Sequence, residues 1–236
     1  MNTEKSSQTG SKKTLTFGVV LSGCGVQDGS EIHEATLLLL ALDREGIRAR
    51  IFAPDMEQAF VASHLTGKAR AGEHRSVLEE SARIARGRIE PLTNVNSAEL
   101  DALVFPGGFG AAVNLSDFGT AGSAMRVRGD VESAILGMHG AGKPTGYICI
   151  APVLAARVLG KFQPELTIGN DAGTAGALRE MGARHVDAPA DGIVIDRQNR
   201  IVSTPAYMLA RRISQVADGI ESLVRALREM ALEPRK

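Results

Sequence analysis

Apolar and polar positions along the chain fall into two alternating kinds of segment. Four short apolar runs, rich in β-branched residues, each stop at a Gly or Pro cluster: Leu15 to Gly23, Ile47 to Pro54, Ala102 to Gly108 and Pro144 to Ile150. Their length and composition predict strands. Between the first two, the stretch EIHEATLLLLALDREG places apolar residues on a helical period and stops at Gly46. Strand, helix and strand in that order form a βαβ unit, and such units assemble parallel sheets with helices on both faces. Helices are predicted again over Val131 to Gly142 and over Pro152 to Leu159. Further on, Arg184 to Val186, Gly192 to Asp196 and Arg200 to Pro205 predict short strands, with a hairpin between the last two. Tyr207 to Met230 reads as one long final helix or a pair. The stretch Asp55 to Asn96 breaks this rhythm. Its polar and basic residues, among them His64, Lys68, Arg70, His74 and Arg75, predict an inserted excursion over a site or a partner surface. No segment repeats another.

A chain of 236 residues suits a single α/β domain, here 14–236. Residues 1–13 are polar and lack the apolar centre of a signal peptide, so they predict a disordered leader and a cytoplasmic protein. The 27 basic and 27 acidic side chains balance, and no stretch concentrates Lys and Arg as a nucleic-acid groove requires. Trp is absent and aromatic residues make up 4%, which removes the stacking platforms of single-strand binders. No apolar run is long enough to span a bilayer. Neither nucleic acid nor membrane is expected as a partner. Two cysteines, Cys24 and Cys149, suit a reducing compartment.

In an open parallel sheet, ligands bind beyond the carboxyl ends of the strands, near the point where strand order reverses. Three segments are predicted to end there: Ser22 to Glu34 (SGCGVQDGSEIHE), Pro106 to Gly110 (PGGFG) and Ile148 to Pro152 (ICIAP). A cysteine at a strand-to-helix turn is held in a sharp conformation, beside a helix N-terminus that favours thiolate. Cys149 is therefore a candidate nucleophile, with a buried core cysteine as the alternative. The N–H of Ile150 and that of Gly107 or Gly108 are candidate oxyanion donors. Glu31 and Glu34 lie one helical turn apart at the start of the first helix. Either could exchange a proton with Cys149, or simply favour the helix start, with Ser30 or Asp28 as cap. Cys24 is either an accessory redox partner or a small residue in a tight Gly-flanked turn. His33, His64, His74, His139 and His185 read as surface residues. No cluster has zinc spacing, and neither a full dinucleotide fingerprint nor a P-loop lysine is present, so no metal and no cofactor is expected.

The motifs SGCGVQDGSEIHEA, PGGFGAAVNLS, GYICIAP and STPAYMLA together closely resemble the ElbB family, the enhancing-lycopene-biosynthesis or sigma cross-reacting proteins. That family lies within the PfpI and class I glutamine amidotransferase-like superfamily. The resemblance runs from about Leu15 to the end of the chain. It implies a flavodoxin-like three-layer sandwich with a mainly parallel sheet, a homodimer, Cys149 at the elbow and a first-helix glutamate against its thiol. Counting back from Gly46 favours Glu34, with Glu31 the alternative. It further implies Gly107 and Gly108 as the oxyanion turn, together with the N–H of Ile150.

Two departures matter. Ile150 stands where the peptidase-like branch has histidine, and Leu166 to Asp171 carries no histidine where other branches place a catalytic one. Peptide or glutamine hydrolysis would then lack its general base and leaving-group acid, each typically a factor of about 10²–10⁴. A cofactor-independent glyoxalase, a lyase acting on glyoxal or methylglyoxal through a cysteine hemithioacetal, asks for less. The alternatives are a deglycase or hydrolase using the same cysteine, and a redox-sensing regulator linked to isoprenoid biosynthesis.

Overall fold

The computed structural model describes residues 14–233; the predicted leader lies outside them. The first strand, β1 (Thr16–Val20), leads into α1 (Ile32–Arg44) and β2 (Arg48–Ala53). Then follow α2 (Val77–Ala85), β3 (Glu90–Pro91), β4 (Ala102–Phe105) and two four-residue helices, α3 (Gly110–Val113) and α4 (Phe118–Ala121). The second half runs α5 (Gly129–Gly140), β5 (Thr145–Ile148), α6 (Pro152–Leu159), β6 (Glu165–Leu166) and α7 (Ala172–Glu180). It closes with β7 (Arg184–His185), β8 (Val194–Asp196), β9 (Ile201–Thr204) and α8 (Ile213–Leu232).

Seven strands form one sheet in the order β3-β2-β1-β4-β5-β9-β8, parallel throughout except for the β8–β9 hairpin, and β6 and β7 pair separately. Both faces of the central strands are apolar because both are covered. Phe17, Val19, Leu21, Val104, Ile148 and Val202 pack with α1 and α8; Val20, Phe52, Phe105, Tyr147 and Ile201 pack with α5, α6 and α7. The result is the expected three-layer α/β/α sandwich. In α1 the residues Ala35, Leu38, Ala41 and Leu42 are buried at helical spacing, and Pro152 opens α6 at the position where its missing N–H costs nothing.

The stretch from Asp55 to Asn96 is only partly an excursion. It contains α2 and the edge strand β3, both integral to the sandwich. The pattern hides α2 because its buried face carries Glu80 and Ser81 beside Val77 and Ala85, which interrupts the apolar period. The preceding segment is laid on the loop after β1. Ala62 N–H donates to Asp28 Oδ2 (2.7 Å), and Gln58 Nε2 donates to the Asp28 carbonyl (3.2 Å). The short strands β3 and β6, two residues each, are below what periodicity can resolve.

Candidate active site

The strand order reverses between β1 and β4, so the loops that follow them diverge and leave a crevice at the sheet's carboxyl edge. These loops interlock through main-chain bonds. Phe109 N–H donates to the Val26 carbonyl (2.7 Å), Gly110 N–H to that of Gly29 (2.9 Å), and Glu31 N–H to that of Gly107 (2.9 Å). Gly108, at φ +97, passes so close that a Cβ there would lie 2.3 Å from Glu31 N and from the Gly29 carbonyl. Asn114, buried just beyond, donates to the carbonyls of Ser22 (2.8 Å) and Asp28 (2.9 Å) and accepts from Ala59 N–H (2.9 Å). Sequence reasoning assigned Asn114 no role; no local pattern marks a residue whose partners are so distant in the chain.

Cys149 follows β5 with φ 61, a left-handed conformation in which few side-chain-bearing residues are held. Its N–H donates to the Thr204 carbonyl (2.9 Å), and the residue is 8% exposed. The chain then enters α6 at Pro152, which is the geometry of a nucleophile elbow. Gly107 presses against it: a Cβ there would stand 2.4 Å from Cys149 Cβ and 2.6 Å from Glu34 Oε2.

The two glutamates have different tasks. Glu31, rather than Ser30 or Asp28, is the N-cap of α1, its Oε2 accepting from Glu34 N–H (2.7 Å). Glu34 is fully buried and its carboxyl lies close to the Cys149 thiol: a Cβ on Gly107 would stand 2.6 Å from Glu34 Oε2 and 3.0 Å from Cys149 Sγ. Its Oε2 accepts from Gly107 N–H (2.9 Å) and its Oε1 from Tyr207 N–H (3.2 Å). The N–H of Gly107, one of the expected oxyanion donors, is directed to Glu34. The donors left at the sulfur are the N–H groups of Gly108 and Ile150.

Burial, reinforced by the charge of Glu31, pushes Glu34 from its ordinary value of 4.5 up to about 8, against the hydrogen bonds from Tyr207, Cys149 and Gly107. At neutral pH its carboxyl is mostly protonated. Burial first, and then the Glu34 charge, also raises the thiol, while the Gly108 and Ile150 N–H groups pull it down. The net direction is up. Burial of the sulfur thus works against the thiolate that a helix N-terminus favours.

Cys24 lies elsewhere. It is partly exposed, bridges to Ser30 across the loop, and has Glu80, Arg83, Asp28 and Arg75 as its charged surroundings. Both cysteines are free thiols. Among the histidines, His185 departs from the surface expectation: its side chain is fully buried, and burial pushes its ionisation down. His33 is exposed, but its Nδ1 is 2.7 Å from the Tyr207 hydroxyl, at the rim of the site. Tyr207 itself went unassigned from sequence, because its approach to Glu34 spans 173 positions. Among the described residues, no group of three or more His, Cys, Asp or Glu side chains is placed to hold a metal ion, and no helix is long and apolar enough to cross a membrane.

Known proteins share this fold. An isoprenoid biosynthesis protein with amidotransferase-like domain from Ehrlichia chaffeensis is 36% identical, with a TM-score of 0.86 over 92% of this chain and 99% of its own. Drosophila melanogaster DJ-1beta, at 17% identity, has a TM-score of 0.53 over 93% of this chain and 96% of its own, a likeness of fold alone. The fold is that of the class I glutamine amidotransferase-like proteins. No family model matches the chain. The human glutamine amidotransferase-like class 1 domain-containing protein 3, mitochondrial, is 46% identical over 221 residues, covering 90% of this chain and 82% of its own. On that similarity the chain belongs to the ElbB-like family of amidotransferase-like proteins.

Proposed function

We propose that the protein is a cofactor-independent glyoxalase, a lyase that converts glyoxal, and by extension methylglyoxal, to the hydroxy acid. The observation that carries this reading is the Cys149 sulfur held between two inward N–H groups and a buried carboxyl that exchanges protons near neutrality. In its ionised form Glu34 takes the thiol proton as Sγ bonds to the aldehyde carbon and passes it to the oxygen that gains charge, which the Gly108 and Ile150 N–H groups hold, so that the carboxylate is free again. The hemithioacetal then loses its carbon-bound proton to Glu34, which returns it to the neighbouring carbon. The result is a thioester of the hydroxy acid. Water cleaves the C–S bond, releasing the acid and restoring the thiol. One carbon is oxidised and its neighbour reduced, so glyoxal plus water gives glycolic acid with no outside oxidant or reductant.

This chemistry suits the site better than amide hydrolysis, since no histidine flanks Cys149 to protonate a leaving amine. A deglycase or hydrolase using the same cysteine meets the same shortage. A redox-sensing regulator remains the second reading, favoured by the name of the Ehrlichia relative, which places that protein in isoprenoid biosynthesis. In either reading we propose a homodimer acting in the cytoplasm, although the human relative is named as mitochondrial. The deciding experiment measures glycolate from glyoxal and lactate from methylglyoxal with the wild type, Cys149→Ala and Glu34→Gln. Loss of turnover in both variants supports the mechanism, and turnover retained by Cys149→Ala refutes it. No turnover by the wild type moves the weight to the regulatory reading.

A further inference from the structure

The glyoxalase sequence moves two kinds of proton, and Glu34 accounts for only one of them. When the hemithioacetal loses its carbon-bound proton, the electron pair forms a carbon–carbon double bond and leaves negative charge on the oxygen of the second carbon. That oxygen needs a proton. Later, as the second carbon is reprotonated, the hydroxyl on the sulfur-bearing carbon must lose one. A carboxyl with both oxygens bonded to the N–H groups of Gly107 and Tyr207 is poorly free to serve oxygens as well as carbons.

Tyr207 stands next to this carboxyl. Its main-chain N–H is on Glu34 Oε1 (3.2 Å), and its hydroxyl is 2.7 Å from Nδ1 of His33, the residue just before Glu34. The two rings lie 5.8 Å apart between centroids, tilted by 48°. His33 is exposed and Tyr207 half-buried, and the phenol is near enough to feel the charges of Glu31 and Glu34. The turn that presents Tyr207 is strained: Ala206, fully buried, is held at φ 44, in the left-handed region that disfavours a Cβ. Strain of this kind collects at functional sites.

We propose that Tyr207, with its hydroxyl held by His33, is a second proton carrier of the site, serving the oxygens of a bound dicarbonyl while Glu34 serves its carbons. The proposal rests on the glyoxalase reading above. The Tyr207 hydroxyl gives its proton to the oxygen of the second carbon as the enediol forms, and His33 steadies the resulting phenolate by donating from Nδ1. The phenolate then takes the proton of the other hydroxyl as the thioester carbonyl forms. The phenol is restored and no proton is gained or lost overall. Burial and the charges of Glu31 and Glu34 raise the ionisation of the phenol, which keeps it protonated and ready to donate.

The test compares wild type, Tyr207→Phe, His33→Ala and His33→Asn in two assays: glycolate production from glyoxal across pH 6–9, and the rate of adduct formation on Cys149 by intact-protein mass. Tyr207→Phe is expected to lose turnover by roughly 10²-fold or more while forming the hemithioacetal at the wild-type rate. His33→Ala should lose turnover and change the shape of the pH profile. His33→Asn, whose amide nitrogen occupies the place of Nδ1, should recover part of the rate without restoring that shape. Turnover by Tyr207→Phe within threefold of wild type overturns the proposal and leaves the glyoxalase reading intact, as does an equal loss of adduct formation and turnover. A wild type that forms neither adduct nor glycolate overturns both.

Discussion

Replacing Glu34 by glutamine changes the protein's stability in a direction that depends on pH. Glu34 is fully buried, and its pKa rises from 4.5 to about 8 on folding. The folded state therefore holds a proton that the unfolded chain releases. The stability this confers is complete below pH 4.5, falls as pH rises, and is lost above about pH 8. At 1.36 kcal/mol per pKa unit, the full loss is on the order of 5 kcal/mol. Glutamine carries no such dependence, but its geometry is worse. Both carboxyl oxygens accept from main-chain N–H groups, of Gly107 and Tyr207, and the amide offers one acceptor and one donor. One N–H is left facing an NH₂ group, a cost of about 1–3 kcal/mol. The variant should be the less stable protein in acid and the more stable one in mild alkali, with the curves crossing at roughly pH 6. Urea unfolding of both proteins at intervals from pH 5 to 9 measures this, because titrating groups that do not interact with Glu34 cancel in the difference. A difference that stays constant within about 1 kcal/mol over that range would refute a buried, proton-holding Glu34.

Three further outcomes follow from the same geometry. Gly107→Ala forces a Cβ to 2.4 Å from Cys149 Cβ, so it should destabilise by about 1–3 kcal/mol and change the alkylation rate of Cys149, read by denaturation and peptide mass mapping. Asn114→Ala strands the carbonyls of Ser22 and Asp28 and the N–H of Ala59, a loss of about 3 kcal/mol or more by urea titration; a change below about 1 kcal/mol would argue against the observed network. Glyoxal turnover should rise with pH and level off near 8, where the Glu34–Cys149 pair loses its first proton, and a flat profile from pH 6 to 9 contradicts that pairing.

How much of this was legible in the chain follows from the range of each interaction. The strands β1, β4 and β5 and the second half of β2 are apolar runs ended by Gly or Pro, because they are buried on both faces, and that signature is local. The same holds for α1, with its stop at Gly46, and for the coincidence of PGGFG and ICIAP at strand ends, which pointed to Cys149. The chain alone also supported a glutamate near the start of α1.

Only the tertiary structure decided which one. The count back from Gly46 leaned to Glu34, but both residues are acidic and lie at the helix start, and nothing local assigns one to the cap and the other to the core. Packing makes one the N-cap and brings the other beneath the thiol. The upward shift of that thiol was likewise beyond the sequence, since it depends first on burial, a three-dimensional quantity. Tyr207, Asn114 and α2 escaped for related reasons: two make their decisive contacts with residues far away in the chain, and the third hides its period behind buried polar side chains. Local patterning thus determined the layers and the elbow, while long-range contact decided which side chains meet there and which protons they hold.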